Sequence, residues 1–147
     1  SHYKNVKSTR QPYSMKDKVI IMSAKQIVNT ANITGGTNPL SQASIFGGII
    51  YLQGCTGRHP TEGTVGDGIE EQTRYTLERI KIILEECGSS LDNILTNTCY
   101  LTKSEDLPGF NKVYSEYFPS DPPPRTAILV SFGAPDNLVE ITTTAHQ

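Results

Sequence analysis

The chain has 147 residues, 36% of them hydrophobic, and 13 Lys and Arg against 15 Asp and Glu leave a formal net charge of −2. That length supports one core without disulfide or metal staples, and that charge supplies no long-range attraction for phosphate backbones or anionic membranes. Cys55, Cys87 and Cys99 show no C-x-x-C or Cys/His ligand spacing, no apolar run approaches the about 20 residues of a bilayer span, and no signal segment opens the chain. A soluble, cytoplasmic protein with reduced thiols is expected.

Residues 1–16 are polar with no apolar period and are set aside as a leader, leaving 17–147 as a single domain. "KVIIM" (18–22) and "QIVNT" (26–30) read as short strands, and the Gly- and Asn-rich stretch 33–44 reads as a loop. "GGIIYLQG" (47–54) is rich in β-branched residues and ends in Gly, the pattern of a largely buried strand. From Asp67 the period changes. Ile69, Thr73, Leu77, Ile80, Leu84 and Cys87 form one helical stripe, opened by a capping box of Asp67 with Glu70 and closed by Gly88.

"NILTNTCYLT" (93–102) alternates as a strand, and Leu107, Phe110, Val113, Tyr114 and Tyr117 stripe a second helix that Pro119 and Pro122 to Pro124 stop. Strands at 125–131 and 138–146 close the chain, joined by "FGAPDN", which suits a hairpin. The order β-β-β-α-β-α-β-β predicts an α+β sandwich, with two helices covering one face of one sheet. Ile128, Val130, Val139 and Ile141 are too apolar to leave wet, so a homo-oligomer packing sheet against sheet is expected to cover the other face.

Arg125 raises the functional question, because it stands between three prolines and an apolar strand, and an arginine rarely enters a core unpaired. "NPLSQA", "IIYLQGCTG", "EEQTRYTLERIKIILEECGSSLDNILTNTCYLT", "FNKVYSEYF" and "PPPRTAILV" stand in the order and spacing of the RidA/YjgF/L-PSP family, which the chain resembles from about residue 25 to 145. The resemblance implies a chorismate-mutase-like fold, a trimer with its sheets packed inward, and clefts at the subunit interfaces. Members carrying the key arginine hydrolyse reactive imines and enamines, such as 2-iminopropanoate and 2-iminobutanoate, to 2-keto acids and ammonia without a cofactor or metal.

Carried over residue by residue, the resemblance makes Arg125 the guanidinium that grips the substrate carboxylate, a role that suits a planar fork. Asn111 matches the asparagine of the family's N-x-x-Y helix segment, with Tyr114 taken as packing. Gly54 matches a strand-end glycine that lets a ligand approach the backbone. Three positions depart from the pattern: Leu40 replaces a tyrosine, Ala127 replaces a cysteine whose backbone makes the contact, and Thr142 stands for the second of two alternating glutamates, which positions the attacking water. Glu140 matches the first glutamate. A threonine hydroxyl holds a water but is no base near pH 7.

Each residue has a plainer reading. Arg125 could end a strand with its head in water, Asn111 could bond a neighbouring loop, Gly54 could simply end a strand, and Glu140 could serve an ion pair. Two other functions stand beside the deaminase: an L-PSP-type endoribonuclease, and a non-catalytic module that binds small carboxylates. The nuclease lacks a basic stripe and has only His2, His59 and His146 to draw on, so nucleic acid is not expected as a partner.

Overall fold

The computed structural model describes residues 24–36 and 38–147. The leader and the strand expected at 18–22 lie outside the described residues. Among the described residues seven strands form one mixed sheet: β1 (Gln26–Val28), β2 (Ala43–Phe46), β3 (Ile49–Leu52), β4 (Cys55–Thr56), β5 (Ile94–Leu101), β6 (Arg125–Leu129) and β7 (Val139–His146). Helices α1 (Gly68–Glu86) and α2 (Leu107–Tyr117) lie on one face. The spatial order is β1-β2-β3-β7-β5-β6, with β4 also pairing β7. Among the described residues no helix is long and apolar enough to cross a membrane.

The helices form where the apolar period is 3.6. Thr73, Leu77, Ile80 and Leu84 of α1 are fully buried, as are Phe110 and Val113 of α2. Gly88 follows α1 in the left-handed region, φ 73°, as the stripe predicts. The N-terminal cap differs from the expected box. The Glu71 carboxylate accepts the backbone N–H of Asp67 at 2.5 Å, the Asp67 side chain caps nothing, and Glu70 pairs with Lys112 of α2 at 3.0 Å.

Two strand assignments need correction. The end of the stretch read as loop, residues 43 and 44, belongs to β2 (Ala43–Phe46). Gly47 and Gly48 are not strand but the two-residue turn of a β2–β3 hairpin, both at positive φ (59° and 78°), which pairs Phe46 with Ile49. The larger correction concerns the chain's end, where β6 and β7 do not form a hairpin. β6 runs parallel to β5, and β7 lies between β5 and β3, antiparallel to both. Parallel neighbours need a long crossover, and α2 with its flanking loops supplies it. β7 takes the central position because Val139, Ile141, Thr143 and Ala145 pack fully buried beneath the helices.

Period two then assigns the other face. Ser44, Phe46, Tyr51, Tyr100, Ile128, Glu140, Thr142 and Thr144 point away from the helices by strand register. Phe46 and Tyr51 are each 52% exposed and Ile128 44%, so this face is open in the single chain. Val139 and Ile141, expected to need an oligomer for cover, are instead buried by the helices. Among the described residues, the apolar groups left open on this face include Ile27, Phe46, Tyr51 and Ile128.

Candidate active site

Arg125 begins β6 at the sheet's edge, directly beside Asn97 of β5. The Asn97 backbone N–H donates to the Pro124 carbonyl at 3.1 Å and the Thr96 hydroxyl donates to the same oxygen at 3.2 Å, so the prolines deliver Arg125 to a fixed place. Its side chain is exposed and lies on the helix side of the sheet. The guanidinium carbon stands 4.8 Å from the Tyr114 ring centroid and 5.3 Å from that of Phe110. One Nη donates to Asn111 Oδ1 at 2.5 Å. Helical spacing explains the grouping: residues 110 and 114 stack one turn apart and 111 flanks them.

The plainer reading of Asn111 is therefore half right. It does bond a neighbour, and that neighbour is the arginine. With one Nη–H engaged and both rings offering only faces, the rest of the fork makes no other hydrogen bond among the described residues, and a carboxylate could be gripped by two parallel N–H donors. Beside it opens a pocket of about 530 Å³, lined by Asn111, Tyr114, Ser115, Phe118, Pro122, Pro123 and Arg125. Ala127 follows two residues along the same edge, exposed and paired with Cys99.

Gly54, Glu140 and Thr142 gather elsewhere. Tyr51 faces Thr144 while Cys55 faces Ile141, so four steps along β3 and β4 answer three along β7, and one extra residue is accommodated around Gln53 and Gly54. Such a bulge bends the strand and re-aims its neighbours. A Cβ on Gly54 would lie 2.0 Å from Glu140 Oε1, so only glycine lets this carboxyl lie over the backbone. Glu140 is half-buried, burial holds its carboxyl above the ordinary range, and among the described residues no group donates a hydrogen bond to it. Thr142 is half-buried on the same face.

One chain does not join the two groups. Glu140 is level with Tyr100 and Ile128, whereas Arg125 begins its strand three residues earlier and two strands across, a separation of about 14 Å, with the side chains on opposite faces. Leu40, half exposed, lines a third region, an open pocket of about 520 Å³ in the loop 29–42 that shares no residue with the Arg125 pocket.

The remaining reactive types are accounted for by packing. Cys55 has Arg79 nearby and Cys99 has Arg125, but burial outweighs both cations and pushes the thiols up to about 12 and about 11. Cys55 and Cys99 are therefore expected to resist a thiol-specific disulfide reagent at pH 8 in the folded protein, and all three cysteines to react after unfolding, counted by released chromophore. His59 packs edge-on to Tyr75 at 5.1 Å, and its Nδ1 accepts the backbone N–H groups of Thr61 and Glu62. It orders a loop.

A family model described as Endoribonuclease L-PSP matches residues 30–147. The chain belongs to the RidA/YjgF/L-PSP family. It is 39% identical over 124 residues to a RutC family protein of Saccharolobus solfataricus, covering 84% of this chain and 98% of that one. A RutC family protein of Pyrococcus abyssi is 38% identical over 125 residues, with the same coverage.

Among solved structures, YyfA of the conserved Rid protein family from Yersinia pestis, described as of unknown function, is 32% identical with a TM-score of 0.78, covering 84% of this chain and all of that one. RidA from an Antarctic Psychrobacter is 26% identical, also with a TM-score of 0.78, covering 83% and 99%. The α+β, chorismate-mutase-like (YjgF/L-PSP) fold expected from the resemblance is thus the one observed. What sequence reasoning missed in this Rid-family chain is the ring platform. The helical stripe by itself assigns Tyr114 and Phe110 to packing, and their spacing around Asn111 is the signal that points to the platform.

Proposed function

We propose that the protein is a homotrimeric, cofactor-free imine/enamine deaminase that hydrolyses 2-imino acids, 2-iminopropanoate and 2-iminobutanoate among them, to 2-keto acids and ammonia. The observation that carries this reading is the Arg125 fork, seated on two ring faces and Asn111 beside a pocket, with donors to spare for a carboxylate. A carboxylate held by two parallel N–H donors fixes the adjacent C=N carbon within reach of a placed water.

The chemistry then needs a proton acceptor. Water oxygen bonds to the imine carbon as the C=N π pair moves to nitrogen, and the water's proton passes to Glu140. Returned to nitrogen, that proton makes an amine. Glu140 then takes the new hydroxyl's proton and passes it to the same nitrogen, so that the C–N pair leaves with ammonia as the O–H pair closes the C=O bond of the ketone. An enamine substrate first takes a proton at its β-carbon. Glu140, held above the ordinary carboxylate range and free of competing donors among the described residues, suits this exchange. Thr142 lies on the same face and orients the water by hydrogen bond. Backbone groups at Gly54, beside Glu140, and at Ala127, beside Arg125, complete the walls.

Because Arg125 and Glu140 of one chain face opposite sides, the reaction requires Arg125 of one subunit to meet Glu140 of the partner subunit. The open aromatic face supports such an assembly. Phe46→Asp is therefore expected to convert a trimer to monomers in sedimentation equilibrium and to reduce deaminase activity at least about tenfold, since each site is split between chains.

The activity test generates 2-iminobutanoate with an amino-acid oxidase in the presence of semicarbazide. The wild type is expected to lower the trapped product and Arg125→Ala to leave it at the buffer level. A wild type equal to buffer would leave only a carboxylate-binding module. RNA cleavage by the purified protein, lost in Arg125→Ala, would put the family's endoribonuclease description in place of this reading.

A further inference from the structure

Behind the Arg125 platform runs a buried polar chain that the hydrolysis itself does not use. Asn97 is fully buried in the middle of the sheet, flanked by Arg125 on β6 and Thr143 on β7. Its Nδ2 donates to the Tyr114 hydroxyl at 3.0 Å, and its Oδ1 accepts the Thr143 hydroxyl at 2.7 Å. Thr143 is fully buried and Tyr114 nearly so. A buried amide is costly unless both ends are satisfied, and here both are, one to each side of the sheet's helix-facing layer.

The amide's place matters more than its presence. The Tyr114 ring is held at its hydroxyl by Asn97 and packs in tilted contact with Phe110 and Phe118, with centroids at 5.4 and 4.6 Å. These contacts restrict its tilt, and the Arg125 guanidinium rests on it at 4.8 Å. An exposed arginine at a strand end otherwise samples many rotamers, and losing those on binding would cost affinity. Asn97 also holds the Pro124 carbonyl through its backbone N–H, so one residue sets both where β6 begins and where its first side chain lies.

We propose that Asn97 is a positioning residue for carboxylate recognition: through the Tyr114 hydroxyl it fixes the ring on which the Arg125 guanidinium is held, so that the anchor is aimed before substrate arrives. This rests on the deaminase reading in taking Arg125 as the anchor, and it adds that the anchor's direction is set from the sheet interior. Thr143 tethers the amide's far side and determines which end faces Tyr114.

The test measures KM and kcat on 2-iminobutanoate, and the Kd of the product 2-oxobutanoate by calorimetry, for Asn97→Leu, Tyr114→Phe, Arg125→Ala and Val113→Ala. Val113 is a fully buried α2 residue outside the polar chain, so its truncation reports what loss of packing alone does. Asn97→Leu and Tyr114→Phe are expected to raise KM and Kd about five- to tenfold with kcat changed less than about twofold, the signature of lost ground-state binding. Val113→Ala is expected to lower the melting temperature with KM unchanged.

Should Asn97→Leu fail to fold, Tyr114→Phe carries the test alone, since it keeps the ring and removes only the hydroxyl. Tyr114→Phe with wild-type KM and Kd, while Arg125→Ala loses binding, overturns the positioning role and leaves the deaminase reading standing. Wild-type Kd in Arg125→Ala overturns both.

Discussion

Arg125→Ala is expected to lower kcat/KM on 2-iminobutanoate by about 100-fold or more, because it removes a charge-assisted, two-point grip worth about 3 kcal/mol or more of transition-state binding. Arg125→Lys is expected to fall between, losing about tenfold, since an ammonium keeps the charge and loses the planar fork. The substitution touches an exposed side chain whose platform, Phe110 and Tyr114, is packed from below. Its melting temperature is therefore expected to stay within a few degrees of wild type, by scanning calorimetry. An Arg125→Ala protein that retains wild-type kcat/KM would remove the carboxylate anchor, and the proposed activity with it.

Glu140→Gln is expected to lower kcat about 100-fold or more, with KM little changed, because it deletes the proton acceptor and leaves the Arg125 grip intact. The pH profile should report the same group. With its carboxyl held above the ordinary range by burial, the acid limb of kcat should lie higher than for a free glutamate and vanish in Glu140→Gln. Stability should move the other way. A carboxyl whose pKa is raised on folding binds its proton more tightly in the folded chain than in the unfolded one. Stability is therefore unaffected below the unfolded pKa and falls as pH rises through the window up to the folded value, staying lower above it.

Glu140→Gln removes that loss, so at pH 7 its urea midpoint should equal or exceed the wild type's, and at pH 3 the two should coincide. Lost activity without lost stability separates a catalytic carboxylate from the ion-pair partner that sequence alone allowed. A marked drop in the urea midpoint at pH 7 would assign Glu140 to structure instead. If kcat survives Glu140→Gln and falls in Thr142→Val, the water is held by the hydroxyl, as the family resemblance places it.

Local pattern was enough for the elements whose signals are local. Apolar spacing marks α1 and α2, Gly88 marks the end of α1, and alternation marks β5 and β7. Arg125 also stands out in the sequence, since an arginine after three prolines at the head of an apolar strand needs an explanation from chemistry. Pairing was not legible. "FGAPDN" has hairpin composition, yet β7 inserts between β3 and β5, because its four inward residues are the most deeply buried set in the sheet and a central strand is where both neighbours and both helices can cover them.

The site shows the same division. Its setting singles out Arg125 and the family resemblance adds Asn111, Gly54 and Glu140, but contact across elements is a property of the folded chain. Only the tertiary structure stacks Arg125 on Phe110 and Tyr114, hangs Tyr114 from Asn97, and lays the Glu140 carboxyl over Gly54. It also puts Arg125 and Glu140 on opposite faces of one sheet. Sequence determines which groups are present and which face of a strand each takes, because helical and strand periods are local. Which strands become neighbours is settled by long-range burial, and that decides whether one chain can hold a whole site.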